Sequence, residues 1–150
     1  MPIIETYRRL TSLFDSLQAP LLLLLRLYWG SLFFMAGKGK LTNIGRVVDF
    51  FSSLHIPMPL FNAYLVGFTE LIGGALLFLG LFSRLAAIPL AISMVVAYLT
   101  AHIEATHQIF RDPENFISQA PFLFLLTALL VLAFGPGRFS VDTFLRKRFL

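Results

Sequence analysis

AYLVGFTELIGGALLFLGL (residues 63–81), FSR (82–84) and LAAIPLAISMVVAYLTA (85–101) follow one another without interruption. Each long stretch approaches the roughly 20 apolar residues needed to cross a bilayer core. In hydrocarbon only a helix satisfies its own backbone N–H and C=O groups, which makes both stretches helical. A linker as short as Phe82-Ser83-Arg84 then makes them antiparallel neighbours. The rest of the chain is read outward from this pair.

Upstream, residues 20–36 form a further apolar run, opened by Pro20 and interrupted only by Arg26, and Gly37-Lys38-Gly39-Lys40 is expected to end it. Thr42 and Asn43 are helix-capping residue types. Ile44, Val47, Val48, Phe51 and Leu54 follow at helical spacing, with Arg46, Asp49, Ser52 and Ser53 on the other side. This reads as a short interfacial helix stopped by Pro57 and Pro59. Downstream, residues 102–118 are polar, and residues 118–134 supply a last apolar run broken by Gly135-Pro136-Gly137. A basic tail covers residues 138–150. In residues 2–18, Ile3, Tyr7, Leu10, Phe14 and Leu17 share a helical face, so this segment is either an amphipathic surface helix or a loosely ordered tail. No cleavable signal pattern is recognised at the start, so the first apolar run is expected to remain as an anchor.

The expectation is a single integral membrane domain over residues 1–150. Its fold class is all-α: an antiparallel bundle of four transmembrane helices (20–36, 63–81, 85–101, 118–134) with a short interfacial helix between the first and second spans. Composition agrees: 57% of residues are hydrophobic and 13% charged, against about a quarter charged in soluble domains. The net charge of +4 does not imply nucleic acid, because the basic residues flank apolar runs instead of forming a stripe. One side of the spans carries Arg8, Arg9, Arg84, Arg138, Arg146, Lys147 and Arg148, and the other Lys38, Lys40, Arg46 and Arg111. The richer side is expected in the cytoplasm, with both termini.

Two charges interrupt the spans. Arg26, Gly30, Phe33 and Gly37 share one helical face, and Ala63, Gly67, Glu70 and Gly74 share another with the same offsets. Small residues at this spacing let membrane helices approach closely, so both charges should point inward. At 1.5 Å per residue Arg26 lies roughly 9 Å and Glu70 roughly 16 Å from the cytoplasmic ends of their spans, an offset of roughly 7 Å. Arg26 is therefore expected to face Glu70, with Lys40 or Lys38 able to approach from the outer side. The carboxylate is then either half of a structural ion pair or a functional group. On the third span Tyr98 reaches the depth of Glu70 and His102 follows. Lys38, Glu70, Tyr98, His102 and His107 make up a candidate ligand pocket in the outer half, with residues 44–54 as its lid. His102, Glu104 and His107 are weaker candidates for a metal site, set against ordinary interfacial histidines.

The chain has no cysteine. That excludes disulfides, thiolate nucleophiles, cysteine-held iron–sulfur clusters and covalent c-type haem. No G-x-S-x-G, phosphate-cradling glycine loop or paired-carboxylate pattern suggests hydrolysis.

The run Leu25-Arg26-Leu27 with Gly37-Lys38-Gly39-Lys40-Leu41, then Pro57-Met58-Pro59, then Glu70-Leu71-Ile72-Gly73-Gly74 leading to Leu79-Gly80-Leu81-Phe82-Ser83-Arg84, resembles DoxX-like membrane proteins. The ending Phe134-Gly135-Pro136-Gly137-Arg138-Phe139-Ser140-Val141-Asp142 is similar to that family's closing signature. The resemblance implies a four-helix bundle in the bacterial inner membrane, related to a small membrane subunit of a thiosulfate:quinone oxidoreductase, with Arg26, Lys40 and Glu70 as characteristic polar positions. It points to a membrane subunit of a quinone-linked redox complex, with a partner protein or a second copy of the chain beside it. The alternatives are a non-enzymatic scaffold or assembly factor and a small metal-handling or transport protein.

The basic asymmetry sets an expected topology. Reporter fusions after Arg84 and Leu150 should read cytoplasmic, and one after Arg111 external. An external signal at the C-terminus contradicts it.

Overall fold

The computed structural model describes residues 2–149, which form helices and connecting turns with no strand among them. In chain order the helices are α1 (Pro2–Thr42), α2 (Ile44–Ser53), α3 (Pro59–Leu79), α4 (Ser83–Thr100), α5 (Ile103–His107), α6 (Pro113–Ser118), α7 (Pro121–Phe134) and α8 (Val141–Phe149). Three segments are long and apolar enough to cross a membrane: Phe14–Thr42, Pro59–Leu79 and Ser83–Thr100. α7 is equally apolar but has 14 residues, about 21 Å of helix.

Several boundaries differ from the sequence expectation. The amphipathic segment and the first span form one continuous helix through Pro20, because leaving it would expose unpaired backbone groups at the apolar boundary. Of the expected amphipathic face, Tyr7, Phe14 and Leu17 are exposed, and the side chains of Ile3, Arg9 and Leu10 lie outside the described residues. Gly37 and Gly39 do not end α1, which runs on to Thr42. α3 starts at Pro59, a first-turn position suited to proline. It stops at Gly80, whose left-handed conformation (φ 72°) closes the helix. The helix of the last apolar run starts at Pro121 rather than residue 118, since Pro121 has no N–H for the carbonyl four residues earlier and Gln119 is extended.

α1 packs most extensively on α3 and α4 on α7, while smaller α3–α4 and α1–α7 contacts complete the circuit. The α1–α3 contact is made by the expected glycines. Cβ atoms on Gly37 or Gly74 would collide with the backbone of Leu71 or Phe34, and one on Gly30 would sit 2.8 Å from Phe78 N. Phe33, Leu77, Ala87, Leu90, Met94, Ala128 and Val131 fill the centre. Among glycines of α1, Gly39 faces open space.

This yields a contrast two residues apart. Gly39→Ala should stabilise the detergent-solubilised protein by about 0.5–1 kcal/mol through reduced unfolded-state freedom. Gly37→Ala should lower its melting temperature by forcing α1 from α3. Equal responses in thermal melts would contradict the packing.

Candidate functional site

Arg26 and Glu70 are both buried, at 1% and 2% exposure, but they do not meet. Lys40 Nζ lies 2.5 Å from Glu70 Oε2. Arg26 donates through Nη1 to the Pro136 carbonyl and through Nη2 to that of Phe139, 3.0 Å away. Its guanidinium lies against Gly80, ten residues along α3 from Glu70 (80 − 70), roughly 15 Å at 1.5 Å per residue. The expected polar network of Arg26, Lys40 and Glu70 is therefore divided, with Lys40 and Glu70 together and Arg26 at the opposite end. Side-chain direction explains it. Cβ bonds lean toward a helix's N-terminus. In the antiparallel α1–α3 pair, Lys40 and Glu70 lean toward each other, while Arg26 leans away from Glu70.

The Lys40–Glu70 pair lines an apolar cavity of about 590 Å³. Phe33 and Met94 belong to its wall and also to the buried core. Phe50 and Phe51 of α2 and the following Leu54, Ile56 and Pro57 form another side, the position expected of a lid. That segment turns through two left-handed residues, His55 (φ 56°) and Met58 (φ 49°). Asn62 holds it by donating to the Pro57 carbonyl at 2.6 Å. His102, Ser93 and Thr100 contribute polar groups from the α4 side.

The candidate pocket residues separate accordingly. Lys40, Glu70 and His102 line the cavity; Lys38, Tyr98 and His107 do not. Lys38 precedes Lys40 by two residues, which puts it on the far side of the helix, exposed. Tyr98 is buried and turned toward α6, its ring stacked on Phe116 at 4.4 Å and its hydroxyl donating to the Phe116 carbonyl at 2.9 Å. His107 is exposed at the end of α5. Among the described residues no three His, Asp or Glu side chains are grouped to hold a metal ion, so His102, Glu104 and His107 do not converge.

Sequence reasoning missed Asn62 and Ser93, which carry no spacing signal. It also missed Asp142, whose two carboxylate oxygens accept from Phe82 N (2.8 Å) and Ser83 N (3.0 Å). Asp142 N in turn donates to the Gly80 carbonyl at 2.9 Å. A lone acid among basic tail residues was the available clue. With Arg26 it joins the C-terminal segment to the α3–α4 turn.

The sequence profile of the DoxX family matches residues 21–103. The Bacillus subtilis protein named "Putative oxidoreductase CatD" is 33% identical over 125 residues, covering 83% of this chain and 87% of that protein. The Mycobacterium tuberculosis protein named "Uncharacterized membrane protein Rv3486" is 38% identical over 104 residues, 65% of this chain and 64% of that protein. An uncharacterized Haemophilus influenzae protein is 25% identical over 130 residues, 84% of this chain and 83% of its own length. No solved structure shows significant similarity.

The ion pair has a stability signature. Lys40→Met leaves the Glu70 carboxylate buried and unpaired, which should cost about 3 kcal/mol. Glu70→Gln should cost less, because Lys40 reaches solvent (30% exposed). In thermal melts the Lys40→Met/Glu70→Gln double variant should be less destabilised than the sum of the single changes. Arg26→Gln should combine additively with Glu70→Gln. Coupling between Arg26 and Glu70 would contradict the geometry.

Proposed function

The chain belongs to the DoxX family of membrane proteins, and from that premise we propose that it is the membrane subunit of a quinone-linked redox complex in the bacterial inner membrane. In this reading α7 is a fourth crossing, α2 lies at the outer interface, and both termini are cytoplasmic. A partner subunit or a second copy of the chain docks beside it. The observation that carries the reading is a buried carboxylate, Glu70, paired with the half-buried Lys40 on the wall of an apolar cavity beneath the α2 lid. A structural pair needs no cavity. An apolar cavity with a few convergent polar groups has the character of a ligand site.

The residues fit a quinone headgroup. Its flat apolar ring suits walls of Phe33, Phe51 and Phe124, and its carbonyl oxygens need donors, which the Lys40 ammonium and His102 supply. When bound, a quinone supplies the capacity to accept two electrons and two protons. Glu70 holds the Lys40 ammonium at the cavity wall, against the tendency of a lysine to extend toward water. The aromatic walls and the lid exclude water and so strengthen hydrogen bonds to the headgroup. The word oxidoreductase in the name of the Bacillus subtilis relative agrees with this assignment.

Trp29 gives a direct readout. It is the sole tryptophan, and its ring lies 4.9 Å from Phe124 on the cavity wall. A short-chain benzoquinone should quench its fluorescence saturably in detergent, and Lys40→Gln should weaken binding by about tenfold, the worth of a hydrogen bond from a charged donor. Absence of saturable quenching in the folded protein overturns the quinone assignment and leaves a scaffold or assembly factor.

A further inference from the structure

At the opposite end of the molecule from the Lys40–Glu70 pair, a second cleft of about 570 Å³ lies between the first part of α1 and the C-terminal segment. Three arginines line it: Arg84 at the start of α4, Arg138 after α7 and Arg146 on α8. Arg84 Nη2 donates to the Ala133 carbonyl at 3.2 Å. Among the described residues none of the three forms an ion pair with an acid. Two carboxylates share the cleft, Asp15 and Asp142. The Asp142 carboxylate accepts from Phe82 N and Ser83 N, and its charge is opposed by the nearby Arg26 guanidinium. Asp15 is then the one further acid in the lining against three arginines, so the cleft keeps an excess of positive charge.

The other walls are apolar. Ala19 and Leu22 of α1 line it together with Phe82, Leu85 and Phe134, and the last three are all more than half exposed. Apolar side chains this exposed suit acyl chains and do not suit water. The cleft starts beside Asp15 and Gln18, at the beginning of the candidate membrane span Phe14–Thr42. That is the level where a headgroup passes into its acyl chains. A ligand filling the cleft must therefore be anionic at one end and aliphatic along the other.

We propose that this cleft binds an anionic phospholipid, its phosphodiester held by Arg84, Arg138 and Arg146 and its acyl chains lying along Leu22, Leu85 and Phe134. Guanidinium groups bind phosphate oxygens bidentately, which favours arginine over lysine at such a site. The lipid fills the space between α1 and the C-terminal segment, which here meet across a cavity. The assignment is independent of what occupies the outer cavity.

Native mass spectrometry of the full chain in mild non-ionic detergent tests it, with dioleoyl phosphatidylglycerol and dioleoyl phosphatidylcholine as probes sharing the same acyl chains. Phosphatidylglycerol should bind about tenfold more tightly. Arg138→Gln/Arg146→Gln, two exposed positions, should abolish that preference with the circular dichroism spectrum unchanged. Arg8→Gln/Lys147→Gln removes the same charge outside the cleft and should retain it. Loss of preference in both double variants would overturn the site in favour of general surface charge. Retention in the cleft variant would overturn it outright. Displacement of phosphatidylglycerol by millimolar inorganic phosphate would overturn the lipid assignment in favour of a soluble anion.

Discussion

The close approach of α1 and α3 governs the rest of this molecule. Gly30, Gly37, Gly67 and Gly74 bring two antiparallel backbones together where larger residues would hold them apart. Once the register is fixed, so is the direction in which each polar side chain leans. Lys40 and Glu70 lean toward one another and pair. Arg26, on the same face of α1, leans to the other end and takes the Pro136 and Phe139 carbonyls. A single backbone contact thus decides the partners of both buried charges. Burial without those partners would cost several kcal/mol per ion, so packing and electrostatics have one common solution here.

Much of this was legible in the residues, and what was not had a physical cause. The shared offsets of Arg26-Gly30-Gly37 and Gly67-Glu70-Gly74 disclosed which faces meet, because small-residue spacing is a local property of one helix. The inward direction of both charges followed from it. The pairing of Arg26 with Glu70 failed because it rested on span ends, which hydropathy locates only to within a turn. The packing sets Gly30 against Phe78, which carries Arg26 to the far end of α3, and leaning directions in an antiparallel pair then widen the gap. Tyr98 was misplaced for a different reason. Its face on α4 was read correctly as buried, but a hydroxyl goes to the nearest unsatisfied acceptor, and Phe116 O belongs to a helix whose position no periodicity could give. The Asp142 cap joins residues 60 positions apart, a separation at which sequence spacing carries no information.

The two ends of the molecule are built with different chemistry. The Lys40–Glu70 cavity is covered by α2, a ten-residue helix, with Phe50, Phe51 and the following Leu54 over the opening and left-handed residues at His55 and Met58 behind it. Apolar contacts are non-directional, so the cover rests on α3 with a directional tether in the Asn62 hydrogen bond to the Pro57 carbonyl. The opposite end is joined by directional hydrogen bonds, from Arg26 to two carbonyls and from two N–H groups to Asp142. Hydrogen bonds to charged groups contribute about 1.5–3 kcal/mol each, more than neutral ones. An apolar, non-directional cover therefore closes the cavity end, and directional bonds close the opposite one.

The shortness of α7 gives Arg26 a further role. In the four-span reading, about 21 Å of helix must serve a core of about 30 Å. The chain beyond Phe134 leaves helical geometry at Gly135 (φ 80°) and Gly137 (φ 79°), so residues 135–140 present carbonyls that no helix satisfies. Non-helical backbone is tolerated at such depth only where protein supplies its hydrogen bonds. Arg26 supplies two of them. A guanidinium suits this better than an ammonium, since its planar fork reaches two acceptors three residues apart while its charge is shared over several N–H groups. The charge that interrupts the first span thus secures the backbone that follows α7, and its hydrogen-bond partners are carbonyls. Glu70 is thereby left with Lys40 alone, one carboxylate and one ammonium on the wall of an apolar cavity.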